Sequence, residues 1–345
     1  MASTLERADL PALALGYSLL GSGGGGSTTM LELVLREPSH WPIELARIDE
    51  IDPDVQCLGA AFVGSTMLLG ERLPGRAPFA PLIEAVERWL GRPIGAVCSL
   101  EGGGLNGLTP LTLAGERRLV DADLTGRAVP GLDQMSLLVD GVPGVVAASD
   151  SGAGGVVLVQ AGRAEDLERV IRSAVIQAGG VGGAVFAGFT VGDLAEHAVH
   201  GGTARALELG RSFERSATSP LPELAARLGA RVLGGGRITA VDADARDPHV
   251  NAVEIAGDDG AVHRAITRSE TLAFVSDGVV RAAAPEIIVA LDRVTRDILE
   301  VTELVLARTV DILALPAPGW WTERPERLRR VAPSAYGLAE LDGAA

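Results

Sequence analysis

The stretch "LLGSGGGGSTTM", Leu19–Met30, decides how the chain is divided. Read as a flexible linker, it cuts a short leader from a long body. Read as a structured loop, it joins two helices of one domain and offers backbone to a ligand. A linker separates units that fold alone, and the segment before this one is too short to bury a core. Leu10, Leu13, Ala14, Tyr17 and Leu20 recur at helical spacing, which predicts a helix running into the glycines. Ser27 and Thr28 then stand as candidate caps of a second helix, "TTMLELVLREP", which Pro38 ends. The glycines are therefore a loop inside a domain.

What that loop holds is narrowed by what it lacks. Gly21, Gly23 and Gly26 satisfy G-x-G-x-x-G, but the dinucleotide fingerprint follows a strand, and here a helix precedes it. Gly21 to Thr28 nearly fits a P-loop, yet Ser27 occupies the lysine position, so the main phosphate-clamping cation is missing. Tight binding of NAD or ATP is not expected. What survives is a backbone open to close approach, ending on a helix N-terminus with free N–H groups. Gly23, Gly24, Gly25 and Gly26 are candidate contacts for an anion, a carbonyl oxygen or a developing oxyanion.

Composition excludes several classes of function. The chain has 345 residues, enough for two domains, with 47% hydrophobic and 22% charged residues, as in globular proteins. Lys and Arg number 30 against 45 Asp and Glu, a net −15 that repels phosphate backbones and anionic membranes, so neither nucleic acid nor a membrane is the expected partner. Aromatics at 3% leave little for base stacking. Cys57 and Cys98 have no metal-type spacing, which fits a reduced, cytoplasmic setting. The N-terminus carries Glu6 and Asp9 and no basic region, unlike a signal peptide.

Working outward, "IELARI", "VQCLGAAFVG", "IGAVCSLE", "RLVDAD", "GVVAAS" and "GVVLVQ" read as strands. "FAPLIEAVERWLG" and "AEDLERVIRSAVIQAGG" read as amphipathic helices stopped by glycine. Strands alternating with helices predict an α/β domain over 1–228, a three-layer sandwich whose mostly parallel sheet has helices on both faces. After Arg227 the helices fade. "HVNAVEIAGDDGAVHRAITRS" and "TLAFVSDGVVRAA" read as strand–turn–strand, which predicts a β-rich domain over 229–345, a barrel or sandwich with a disordered "DGAA" tail.

Candidate chemistry gathers at strand ends of the first domain. Glu101 opens "EGGGLNGL" after a buried strand, where open α/β sheets place ligands, and Asn106 can orient a carbonyl or amide. In "VDADLTGRAVPG", Asp121 and Asp123 point to one side of a strand, with Arg127 near enough to pair with one of them. Two carboxylates beside one arginine acquire different pKa values, as acid–base work requires. His197 and His200 are three apart and share a helix face, without the H-E-x-x-H order of a zinc site, and no metal is expected. Thr203 in "HGGTARALELGR" reads as the cap of its own helix and a neighbour of the substrate.

Taken in order, "LGSGGGG", "EGGGLN", "VDADLTGRAVPGLDQM", "GGTARALELGR", "ALD" with "TEL", and "LPAPGWW" resemble the S-methyl thiohydantoin desulfurase-like family, from about Leu10 to Gly337. Genes of that family often lie beside those of hydantoinase/oxoprolinase enzymes. The resemblance implies an α/β sandwich plus a β-rich domain. It also implies a hydrolase that turns an S-alkylated thiohydantoin, or a related cyclic imide, into a hydantoin with loss of a thiol. Asp121, Asp123 and Glu101 are then candidates for base and acid, and the glycine amides, Asn106 and Arg127 for donors to developing charge. The scheme needs no metal or other cofactor. At two positions the chain departs from the family pattern: Gly131 stands where a glutamate usually follows the proline, and His200 where proline is common. The missing glutamate favours the alternative, a non-catalytic ligand-binding partner of a hydantoinase/oxoprolinase-type protein. Intact Asp121, Asp123 and Arg127 favour the enzyme. A homo-oligomer is expected in either case.

Overall fold

The computed structural model describes residues 3–342 apart from 66, 67, 70–74, 76, 153, 245, 246 and 248. Residues 343–345 of the "DGAA" tail lie outside the described residues. Among the described residues, the first sheet has nine strands: β1 (Ser3–Leu5), β2 (Ile43–Ala46), β3 (Gln56–Gly64), β4 (Ala96–Ser99), β5 (Arg118–Asp123), β6 (Val146–Asp150), β7 (Val156–Val159), β8 (Val181–Thr190) and β9 (Val199–His200). Their order is β1-β2-β5-β4-β3-β8-β6-β7, with β9 on β5. The centre, β2-β5-β4-β3, is parallel. The flanks are antiparallel.

Alternation along β3 builds two cores. Leu58, Ala60 and Phe62 face one side, and Cys57 and Ala61 the other. The first side is covered by α1 (Leu10–Leu20), α2 (Thr29–Leu35), α3 (Ala80–Leu90), and, later in the chain, α6 (Gly202–Ser216) and α7 (Leu221–Leu228). The second is covered by α4 (Ala164–Gln177) and α5 (Val191–His197). This gives the three expected layers. Among the described residues, no helix is long and apolar enough to cross a membrane.

The second sheet, eight strands among the described residues, contains β10 (Arg231–Ala243), β11 (Asn251–Gly257), β12 (Val262–Thr267), β13 (Thr271–Ser276), β14 (Val279–Ala283), β15 (Ile287–Asp292), β16 (Ile298–Leu299) and β17 (Thr309–Leu315). All neighbours are antiparallel, and the edges β14 and β16 do not pair, so the sheet is not a closed barrel. Asp277 and Gly278, both at positive φ, make the tight β13–β14 turn. β15 and β17 bury Ile287, Val289, Leu313 and Leu315 in the same core as α1, which creates a seam between the two sheets. Past β17 the chain returns to the first unit, where Trp320 and Trp321 are buried.

Candidate functional site

The seam is built from the glycine run. α1 stops at Gly21, and Ser22 and Gly23 turn the chain at φ 50° and 78°. The Ser22 carbonyl accepts from the Thr271 amide at 2.9 Å, and its hydroxyl exchanges bonds with the Ile288 backbone at 3.0 and 3.1 Å. The Gly23 carbonyl accepts from Val301 at 2.8 Å. Gly24 must be glycine, because a Cβ there would lie 2.3 Å from the Ser269 carbonyl oxygen and 2.6 Å from the Glu270 Cβ. The run therefore admits the second sheet to close contact, a role its local pattern did not announce. It keeps donors to spare: the amides of Gly25 and Gly26 have no acceptor among the described residues, and Gly23, Gly24 and Gly25 are partly exposed.

The other two loops meet it. Leu105 donates to both the Gly25 and Gly26 carbonyls at 3.0 Å, Gly104 to Tyr17 at 2.7 Å, and Ala128 to Leu20 at 3.1 Å. Gly102 donates to the Thr125 hydroxyl at 3.0 Å. Glu101, partly exposed, sits at this junction. Its carboxylate accepts from the Val129 amide at 2.9 Å and from the Asn106 side-chain amide at 2.8 Å. Asn106 is otherwise committed to the Phe62 backbone, accepting at 2.8 Å and donating at 3.0 Å, so it holds Glu101 in place. Burial raises the Glu101 carboxyl to about 7, against the lowering effect of those two hydrogen bonds.

Behind Glu101 the charge is sealed. Arg127 does not pair with Asp121 or Asp123, contrary to the expectation from spacing. Asp121 and Asp123 lean toward the start of α6, whereas the turn at Gly126, with φ 68°, sends Arg127 into the second sheet. There its Nη2 stands 3.8 Å from Glu270 Oε1, and its other nitrogens donate to the carbonyls of Ala128 at 2.9 Å and Glu286 at 2.7 Å. Both side chains are fully enclosed. Arg127 Nη2 and both Glu270 oxygens are buried without a hydrogen-bond partner. Burial drives Glu270 up to about 8, with Arg127 opposing and the Glu101 charge adding. Sequence reasoning missed Glu270: "RSET" carries no motif, and its one trace is the glycine it packs against.

Asp123 is enclosed as well. One carboxylate oxygen accepts from the amides of Thr125, at 2.9 Å, and Gly126; the other has no partner. A Cβ on Gly102 or Gly202 would strike this carboxyl, at 2.5 and 2.2 Å. Burial raises it to about 6. The C-terminal segment braces the same turn, with Trp321 Nε1 donating to the Thr125 carbonyl at 2.7 Å.

Asp121, two residues earlier, is elsewhere. It is partly exposed and accepts from the Thr203 amide at 2.9 Å and the Ala204 amide at 3.4 Å. The cap of α6 thus comes from β5, since Gly201 at the N-cap has no side chain to offer. Thr203, expected to cap its own helix, lies inside it, buried, and its hydroxyl accepts from Tyr17 at 2.9 Å. Asp121 borders a cleft of about 660 Å³ with His200 and Gly201. His197 and His200 do not share a helix face: His197 ends α5 beside Asp140, at 2.9 Å, and His200 lies in β9.

The chain matches the family described as "S-Me-THD-like, N-terminal domain" over residues 8–161 and "S-Me-THD-like, C-terminal domain" over residues 162–343. Their boundary falls between β7 and α4, inside the first structural unit. A crystal structure of a protein from Chromobacterium violaceum is similar over 100% of this chain and 99% of its own, with a TM-score of 0.82 and 22% identity, a likeness of fold. Among curated proteins nothing matches.

Proposed function

The chain belongs to the S-Me-THD-like family, and we propose on that premise that it hydrolyses an S-alkyl thiohydantoin or a closely related cyclic imide. Water adds to the ring C=N carbon. Glu101 takes a proton from that water as the C–O bond forms, and the ring nitrogen gains it. The second proton follows sulfur as the C–S bond breaks, leaving a carbonyl, a ring N–H and a free thiol. The observation that carries this reading is Glu101 itself: partly exposed, held by two hydrogen bonds, and poised at about 7 in the loop junction that also holds the glycine run, where the amides of Gly25 and Gly26 have no acceptor among the described residues. A base works best with a pKa near the working pH, and free amides suit charge developing on the ring. Asp123 is the poorer base because its carboxyl is walled in by Gly102 and Gly202. Asp123 and Arg127 act on Glu101 through their fields, the first raising its pKa and the second lowering it.

Colorimetric thiol detection tests this. Wild type should release thiol from an S-methyl thiohydantoin, and Glu101→Gln should be slower by ~10²–10⁴. A mutant as fast as wild type removes Glu101 from the chemistry. A wild type that releases none from several such substrates leaves the non-catalytic binding partner as the better reading.

A further inference from the structure

A sheet edge and a charged helix meet at one corner of the molecule. β1 pairs with β2, Ser3 opposite Leu45 and Leu5 opposite Ile43, and its other side carries no strand among the described residues. Ser3 and Thr4 are exposed. Ser3, Thr4 and Leu5 carry none of the charge or proline with which natural edges stop another strand from pairing. Beside this edge runs the outer side of α6. Ala204, Glu208, Arg211 and Arg215 recur at i, i+4, i+7 and i+11, one stripe of a helix, and all four line a cleft of about 470 Å³ together with β1 and Leu45.

Two charges of the stripe stand alone. Glu208 and Arg215 are exposed, and neither side chain has an ion pair or hydrogen bond among the described residues. Arg211, between them, is bonded to Asp9 at 2.6 Å. The stripe therefore reads negative, neutralised, positive over two turns, about 10 Å. That order is its own complement. Laid antiparallel against itself about a two-fold axis between positions 211 and 212, it brings Glu208 of each copy to Arg215 of the other. The edge is self-complementary in the same sense: two copies of β1 pair antiparallel about a two-fold axis at Thr4, threonine opposite threonine. Since β1 and the stripe border one cleft, one axis normal to the sheet serves both. We propose that a second copy of this chain docks at this corner, β1 joining β1 so that the sheet continues from copy to copy, and α6 lying against α6 with two Glu208–Arg215 pairs. A foreign strand would pair with the edge and leave both charges unanswered, whereas a second copy answers edge and charges together. Exposed ion pairs add little affinity each, so the strand contacts hold the copies and the charges select the partner.

Sedimentation velocity on the full chain, over a concentration series, tests this. Wild type should form a dimer whose share grows with concentration. Glu208→Arg and Arg215→Glu each set like charges against one another twice, and each should weaken the dimer about tenfold or more. Mixed in equal amounts, the two variants should form a heterodimer as tight as the wild-type dimer, because positions 208 and 215 again carry opposite charges across the axis. Thr4→Lys places two ammoniums at the strand axis and should weaken the dimer on its own. Both reversed side chains are exposed and unpartnered, so the melting midpoints of dilute samples should match wild type and serve as the folding control. A wild type that stays monomeric, a dimer unchanged by the single reversals or by Thr4→Lys, or a mixture no tighter than either variant alone overturns the proposal. Thiol release is not read here, so the outcome is independent of the proposed reaction.

Discussion

Asp121 and Asp123 are two residues apart on one strand, lean the same way, and live in different chemistry. Asp121 is partly exposed and spends its carboxylate on the start of α6. Asp123 is closed between two glycines, with one oxygen unpartnered. The same contrast separates cleft from seam. The cleft has room, and His200 in its lining acts on Asp121. The seam has three raised carboxyls and an arginine with almost no room, and of these four residues only Glu101 is partly exposed. Spacing on a strand fixes the direction of a side chain, and the layer above it fixes whether that side chain meets water, a helix end or another charge.

The sharpest way to break the contrast is Glu101→Gln against Asp121→Asn in the thiol assay. The seam variant should lose ~10²–10⁴ in rate, and the cleft variant should stay within a fewfold of wild type. A large loss in the cleft variant would merge the two environments. Next in size is packing. Gly24→Ala drives a methyl into the Ser269 carbonyl and should cost about 1–3 kcal/mol or more in thermal or denaturant unfolding. An unchanged midpoint would mean that the sheets do not meet as described.

Asp121→Ala removes a cap from α6 and should cost about 1 kcal/mol, measured in the same way. The smallest effects are those of pH. Glu101 must be ionised to act as base, so kcat/KM should rise with pH through about 7. Stability should run the other way. A carboxyl raised to about 8, as in Glu270, keeps its proton in the folded state where the unfolded chain has released it. Its contribution is full below the ordinary carboxylate range and is lost as pH rises toward about 8. Melting temperature should therefore fall from pH 5 to pH 8, and Glu270→Gln should flatten that slope. A slope unchanged in Glu270→Gln would show that the seam does not set it.

Much of the fold was legible in the sequence. The periodicity of "LPALALGYSLL" and the apolar run of "VQCLGAAFVG" named α1 and β3, and the Asp277-Gly278 pair named a hairpin. The antiparallel flanks were not legible, because an apolar run fits a buried strand of either direction. At the site, the sequence put Glu101 and the glycine run among the candidates. It misread Arg127, whose partner lies in another sheet, and it passed over Glu270, which has no local pattern around it.

The sequence by itself determined the elements, the order of the α/β and β-rich parts, and the loops in which chemistry is possible, because propensity, periodicity and turn chemistry act within a few residues. Only the tertiary structure decided which carboxylates share an environment. Burial and charge act through space, so Glu270 reaches Arg127 from 143 positions away along the chain (270 − 127), while Asp121 and Asp123, neighbours in sequence, part company.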